Sequence, residues 1–144
     1  MRILAARLRR ATVLACVPLA FTLSCTDNST NPSAADISGT YSLQSIGGIP
    51  LPYSFQSGTT TVTLTNDVLI VGSDGTWSET IAFTQVDNGQ TTTGTLDDGG
   101  TWTRSGVSVN FFSQPAAATA YTGTYSNNTL TLDDGSGAPQ VFRR

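Results

Sequence analysis

From Ile37 onward apolar and polar side chains alternate with the period of two that marks a half-buried strand. Trp77, Glu79, Ile81, Phe83 and Gln85 fall on one side of one stretch, and Thr76, Ser78, Thr80, Ala82 and Thr84 on the other. Threonine, tyrosine, valine and tryptophan are frequent, and no helical period appears. The pattern predicts strands over 39–46, 60–71, 76–86, 90–96, 100–105, 107–113, 119–126, 128–133 and 139–143. Ser73-Asp74-Gly75, Asp87-Asn88-Gly89, Asp97-Asp98-Gly99-Gly100, Ser126-Asn127-Asn128 and Asp133-Asp134-Gly135 supply the positive-φ residues of tight hairpins. Such short connections make consecutive strands antiparallel neighbours. If Gly99-Gly100 is a bulge within one long strand, the count is eight and not nine.

Gly39-Thr40-Tyr41, Gly75-Thr76-Trp77, Gly100-Thr101-Trp102 and Gly123-Thr124-Tyr125 each open a strand, at spacings of 36, 25 and 23 residues. This irregularity excludes a propeller or solenoid and points to an all-β, antiparallel up-and-down meander. Closure of eight strands into a small barrel would also explain how so uncharged a chain avoids pairing through its edges.

Carried through the strands, the alternation places Tyr41, Leu43, Val62, Leu64, Trp77, Glu79, Ile81, Phe83, Gln85, Trp102, Arg104, Val107, Val109, Phe111, Tyr121, Tyr125, Leu130 and Leu132 in the interior. An isolated buried charge is too costly to keep, so Glu79 and Arg104 are expected to approach each other inside the barrel or at one mouth. A one-residue slip at Gly99-Gly100 would instead turn Arg104 to solvent. An eight-stranded barrel is just wide enough to be filled by its own side chains or to hold one small ligand. The many large aromatics favour a filled core, with binding confined to a shallow pocket at an open end. Ile49-Pro50-Leu51-Pro52-Tyr53, in the segment 47–58, is apolar and held extended by its prolines, and is expected to plug a barrel mouth rather than offer an exposed edge.

Ahead of this domain, Arg2, Arg7, Arg9 and Arg10 precede an apolar run over 11–23 that ends at Ser24 and Cys25. A basic start and an apolar run too short to cross a bilayer are the parts of a secretory signal peptide, here 1–24. Thr22-Leu23-Ser24-Cys25 resembles the lipobox of bacterial lipoproteins, with Thr22 at a position usually aliphatic. The resemblance implies cleavage between Ser24 and Cys25, lipidation of Cys25 and a membrane anchored through that lipid. The other reading is an ordinary signal peptide that leaves Cys25 a free thiol. Residues 26–36 contain no large apolar side chain and read as a flexible tether with a reach of roughly 18 Å. The implied address is the bacterial cell envelope, at the outer membrane or periplasmic face, where Thr26 after Cys25 favours the outer membrane.

Composition narrows the chemistry. The chain has 144 residues and no histidine, so a histidine-based triad and an imidazole zinc site are excluded. After removal of 1–24, three arginines face ten carboxylates, a side-chain charge of −7 that offers no basic patch for nucleic acid. Asp97-Asp98 and Asp133-Asp134 read as turns, not as calcium loops. No metal, cofactor or catalytic activity is expected, since Glu79 is the single glutamate and most aspartates fall in turns.

Gly39-Thr40-Tyr41 at the first strand, a long first loop and then short hairpins to the end make the domain 37–144 similar to lipocalins. Tyrosine stands where larger lipocalins carry tryptophan. This resemblance implies a monomeric lipocalin-like barrel that binds a small apolar molecule or lipid. Two other functions stay open: a filled, non-catalytic barrel serving as an envelope protein-interaction module with an unidentified partner, and a hydrolase, which would need Glu79 and an aspartate across an open cleft.

Overall fold

The computed structural model of the protein describes residues 37–115 and 118–144. The segment 1–24 read as a signal peptide, Ser24, Cys25 and the expected tether 26–36 therefore lie outside the described residues. The domain is all-β, with ten strands: β1 Gly39–Ile46, β2 Ile49–Pro50, β3 Tyr53–Ser57, β4 Thr60–Val71, β5 Thr76–Asp87, β6 Gln90–Ser105, β7 Ser108–Ser113, β8 Ala118–Ser126, β9 Thr129–Asp133 and β10 Gln140–Arg143. Neighbours run β1-β10-β9-β8-β7-β6-β5-β4, and β4 returns to β1. Eight antiparallel strands thus close into the expected meander barrel, and β2 and β3 are additions at its rim.

The hairpin chemistry behaves as the sequence predicts. Asn88-Gly89 and Asn127-Asn128 have positive φ at both positions, the twist that two-residue hairpins require. The segments expected at 90–96 and 100–105 are one strand, β6, but there is no bulge at Gly99-Gly100. Its register with β5 runs unbroken from Thr76↔Thr101 to Asp87↔Gln90. The two glycines serve close approach instead: a Cβ on Gly100 would collide with the Phe112 carbonyl, and one on Gly99 would stand 2.9 Å from the Trp77 carbonyl oxygen. The irregularity that matters lies in β4, where the register with β5 shifts between Leu64 and Asn66.

Buried apolar side chains fill much of the interior. Tyr41, Leu69, Val109, Phe111, Leu130 and Phe142 are completely enclosed. Trp77, Phe111 and Tyr121 meet edge to face, with ring centroids 5.6, 6.0 and 6.4 Å apart, the arrangement aromatic quadrupoles favour. Their polar ends are satisfied: Trp77 Nε1 donates to the Phe112 carbonyl at 3.2 Å, Trp102 Nε1 to the Gly72 carbonyl at 2.9 Å, and Tyr41 Oη to the Ile37 carbonyl at 2.5 Å. Burial, against the pull of the Arg144 charge, pushes the Tyr41 phenol up to about 12.

Candidate functional site at the barrel mouth

Closure between β1 and β4 is short, spanning only Gly39↔Val71 to Ser42↔Val68. Beyond it the two strands part. The end of β1 pairs with β2, and the first half of β4 pairs with β3 from Tyr53↔Leu64 to Ser57↔Thr60. The proline-rich segment expected to plug the mouth therefore builds up its wall: extended φ at the prolines suits edge strands, Leu51 and Tyr53 pack against the core, and Ile49 stays exposed. Under this seam lies a cavity of about 430 Å³, lined by Ile46, Tyr53, Phe55, Leu64, Asp67, Ile81, Tyr121, Asp134, Ser136, Ala138 and Gln140. An apolar wall with a few polar groups is the usual composition of a small-molecule site.

The polar groups gather at its floor. Asp67, only 3% exposed, comes from β4, and Glu79, 2% exposed, lies beneath it on β5. Tyr121 from β8 donates to Glu79 Oε2 at 2.7 Å. Asp67 and Glu79 share a side-chain hydrogen bond, which two carboxyls make only when a proton sits between them. As two carboxylates, neither Asp67 Oδ1 nor Glu79 Oε1 has a donor. Burial, then the charge of Asp67, pushes Glu79 up to about 8, against the pull of the Tyr121 bond. Burial pushes Asp67 up to about 6. Near neutral pH the pair thus retains one proton and one negative charge. Tyr121 is also raised, by burial first and by the Glu79 charge second.

The sequence-derived interior residues divide between this site and the packed core. Tyr41, Leu43, Trp77, Glu79, Trp102, Val109, Phe111, Tyr121, Leu130 and Leu132 are buried, and Val62, Leu64, Ile81, Phe83, Gln85, Arg104 and Tyr125 are half-buried. Phe83 lies over Gly94 of β6, where a Cβ would stand 3.0 Å from the Phe83 ring. Val107 is not inside: it belongs to the turn between β6 and β7, and is 61% exposed.

The expected approach of Glu79 and Arg104 does not occur. Glu79 is opposite Asp98 on β6, and Arg104 stands six residues further along that strand, on the order of 20 Å away. Arg104 does share a face with buried Val109, its cross-strand partner. Its Nε donates to the Gly106 carbonyl at 2.6 Å, and its guanidinium covers the Tyr125 ring at 5.0 Å from the centroid. The aromatic face and a backbone carbonyl do what a carboxylate was expected to do.

Asp67 is the site residue the alternation misses. Val62 and Leu64 put even positions inside, whereas Leu69 and Val71 put odd positions inside. The register shift between Leu64 and Asn66 reconciles the two and turns Asp67 inward. That conflict of parity within one strand was the available signal. The loop from β9 to β10 supplies the opposite wall, and its carboxylates are engaged in the turn. Asp133 Oδ1 accepts from the Gly135 and Gly137 amides, Asp134 Oδ1 from the Ser136 amide, and Asp134 Oδ2 from Gln140 Nε2. At the other acidic pair, Asp97 Oδ1 accepts from Thr80 Oγ1 and Asp98 Oδ2 from Ser113 Oγ. The hydrogen bond between Asp67 and Glu79 also brings them closer than the roughly 5 Å or more that separates the two carboxyls of a glycosidase. The fold is compatible with a lipocalin-like barrel, but no protein-family description, no curated protein and no solved structure matches the chain.

Proposed function

We propose that this is a lipid-anchored cell-envelope protein, held through Cys25, whose barrel mouth binds a small apolar molecule or lipid without catalysis. The observation that carries the reading is the cavity of about 430 Å³ with its apolar wall, at a place where the barrel's own side chains leave room. A side-chain-filled barrel with a concave mouth suits recognition of a ligand small enough to enter from the end.

Position is compatible with the anchoring. The described chain begins at Ile37, beside the Gly39↔Val71 pair, whereas Asp67 and Leu64 lie four and seven residues along β4 towards the other end, about 13 and 23 Å away. The described chain thus starts at the end of the barrel away from the cavity. A Cys25 lipid on a chain exported by 1–24 would place the domain at the outer membrane or periplasmic face.

A second reading, the protein-interaction module, draws on the projecting end of the β5–β6 hairpin, where Leu96 is 60% and Val86 39% exposed. Native mass spectrometry of the mature protein, extracted from its own envelope in mild detergent, separates the two. The expected result is a diacylglyceryl-modified Cys25 and an additional mass of a few hundred daltons, lost on activation. A lipidated protein that is bare but co-purifies with a stoichiometric protein would transfer the function to the hairpin surface, and an unlipidated Cys25 would remove the anchor.

A further inference from the structure

We infer that the mouth cavity selects ligands that carry an ammonium head on an apolar body, with the head seated on Asp67 and the body against Tyr53, Phe55, Leu64 and Ile81. This inference rests on the reading that the cavity binds an apolar ligand, and it adds the chemistry of the polar end.

Three observations converge on a cationic head. First, Asp67 lines the cavity, is only 3% exposed, and holds a negative charge that meets no cation: its Oδ1 has no donor in the structure beyond the single proton the pair shares. A buried carboxylate charge without a cationic partner costs free energy that a ligand ammonium recovers. Second, every charged group at the floor has the same sign. Asp67 faces Glu79 from β5, with Asp98 on β6 behind it, while Tyr121 on β8 feels Asp67, Glu79 and Asp134. Gln140 from β10 is neutral, and no described residue lining the cavity is cationic. The three described arginines belong to the opposite end: Arg104 and Arg144 lie against Tyr125 and Tyr41, and Arg143 pairs with Ser42 on β1 and Thr129 on β9. Third, the wall is aromatic where a cation would pass. Tyr53 and Phe55 stand side by side on β3, 6.2 Å between centroids, and their faces attract both apolar groups and ammonium ions.

A ligand carboxylate would bring another negative charge to this floor, and a hydroxyl would satisfy an acceptor without neutralising a charge. An ammonium does both, with three donors. Because burial and mutual repulsion leave one proton on the Asp67–Glu79 pair near pH 7, the pair offers a single negative charge to a single positive one. Acidification to pH 5 protonates Asp67 and removes that charge.

The test is isothermal titration calorimetry of the mature protein with three water-soluble probes of matched shape: 2-phenylethylamine, 2-phenylethanol and 3-phenylpropionate. At pH 7.5 the amine is expected to bind at least tenfold more tightly than the alcohol, the order that hydrogen bonding to a charged group supplies, and the carboxylate most weakly. At pH 5 the advantage of the amine should vanish while the alcohol is unchanged. Asp67→Asn should abolish the advantage at pH 7.5. Should that variant not fold, the pH comparison on the unaltered protein decides alone. Equal binding of amine and alcohol overturns the cationic preference while leaving the apolar pocket standing, as does tightest binding by the carboxylate. Binding of none of the three overturns the inference, and the naphthylamine titration described below then tells whether the pocket itself has failed.

Discussion

Tyr121 on β8 donates its phenolic hydrogen to Glu79 Oε2 on β5 at 2.7 Å, joining opposite walls of the barrel directly beneath the mouth cavity. The bond carries two duties. It holds the ring that closes the top of the Trp77–Phe111–Tyr121 cluster, and it gives the buried Glu79 its one donor that does not depend on Asp67.

Removal of that donor should therefore cost more than an ordinary hydrogen bond. Tyr121→Phe leaves the ring in place and Glu79 Oε2 without its donor, for a loss of about 1–3 kcal/mol in urea unfolding. Above pH 8, where Glu79 is ionised, the same change should cost less in a Glu79→Gln background, because a neutral amide tolerates burial better than a charge. Equal losses in the two backgrounds would show that Tyr121 acts through packing alone.

The two acids make stability depend on pH in a direction opposite to that of most surface carboxylates. Glu79 titrates at about 8 in the folded protein against an ordinary 4.5, and Asp67 at about 6 against 3.8. The folded state holds protons that the unfolded chain has released, so their contribution is complete below about pH 4 and is lost as pH rises to about 8. Asp74, held down by its Thr76 hydrogen bonds, works in the other sense, and only where acid protonates it. Melting temperature should thus fall between pH 5 and pH 8. Glu79→Gln should flatten most of that slope, and a slope unchanged in Glu79→Gln would refute the assignment.

Gly100 tests the account of β6. Its Cβ would enter the Phe112 carbonyl of β7, so Gly100→Ala must push the two strands apart. Backbone cannot move aside as a flexible side chain does, and overpacking of this kind typically costs roughly 1–3 kcal/mol and occasionally more. Gly89→Ala, with open space around its Cβ but φ at 79°, isolates the conformational part of such a change. If Gly100→Ala is no worse than Gly89→Ala in thermal unfolding, close approach is not what keeps the glycine.

Much of this was legible in the residues. Asn88-Gly89 and Asn127-Asn128 announce their hairpins, and Trp77, Trp102, Phe111 and Tyr121 announce a filled interior, because period-two patterning and turn chemistry are local. What local pattern does not carry is where a closed sheet opens. The parting of β1 from β4 depends on which strands run out of partners, and it is visible only once β2 and β3 are in place. Glu79 was read as inward but given Arg104 as its partner, since charge complementarity ignores distance along a strand. Its actual neighbour, Asp67, was hidden by the slip after Leu64, which reverses the face of every later residue in β4. Val107 failed for a related reason: alternation was carried one residue into a turn.

The central claim is that a cavity at the barrel mouth binds small apolar molecules while the interior below it is full. Titration of the mature protein with N-phenyl-1-naphthylamine, a dye whose fluorescence rises in apolar surroundings, tests it most directly when paired with Leu64→Trp. Leu64 is half-buried and lines the cavity, so an indole there occupies the ligand's space at the open end without entering the packed core. We predict saturable binding at one dye per protein, lost or weakened at least tenfold in a Leu64→Trp variant that keeps its β circular dichroism. Absence of saturable binding, or equal binding by the folded variant, would contradict the claim.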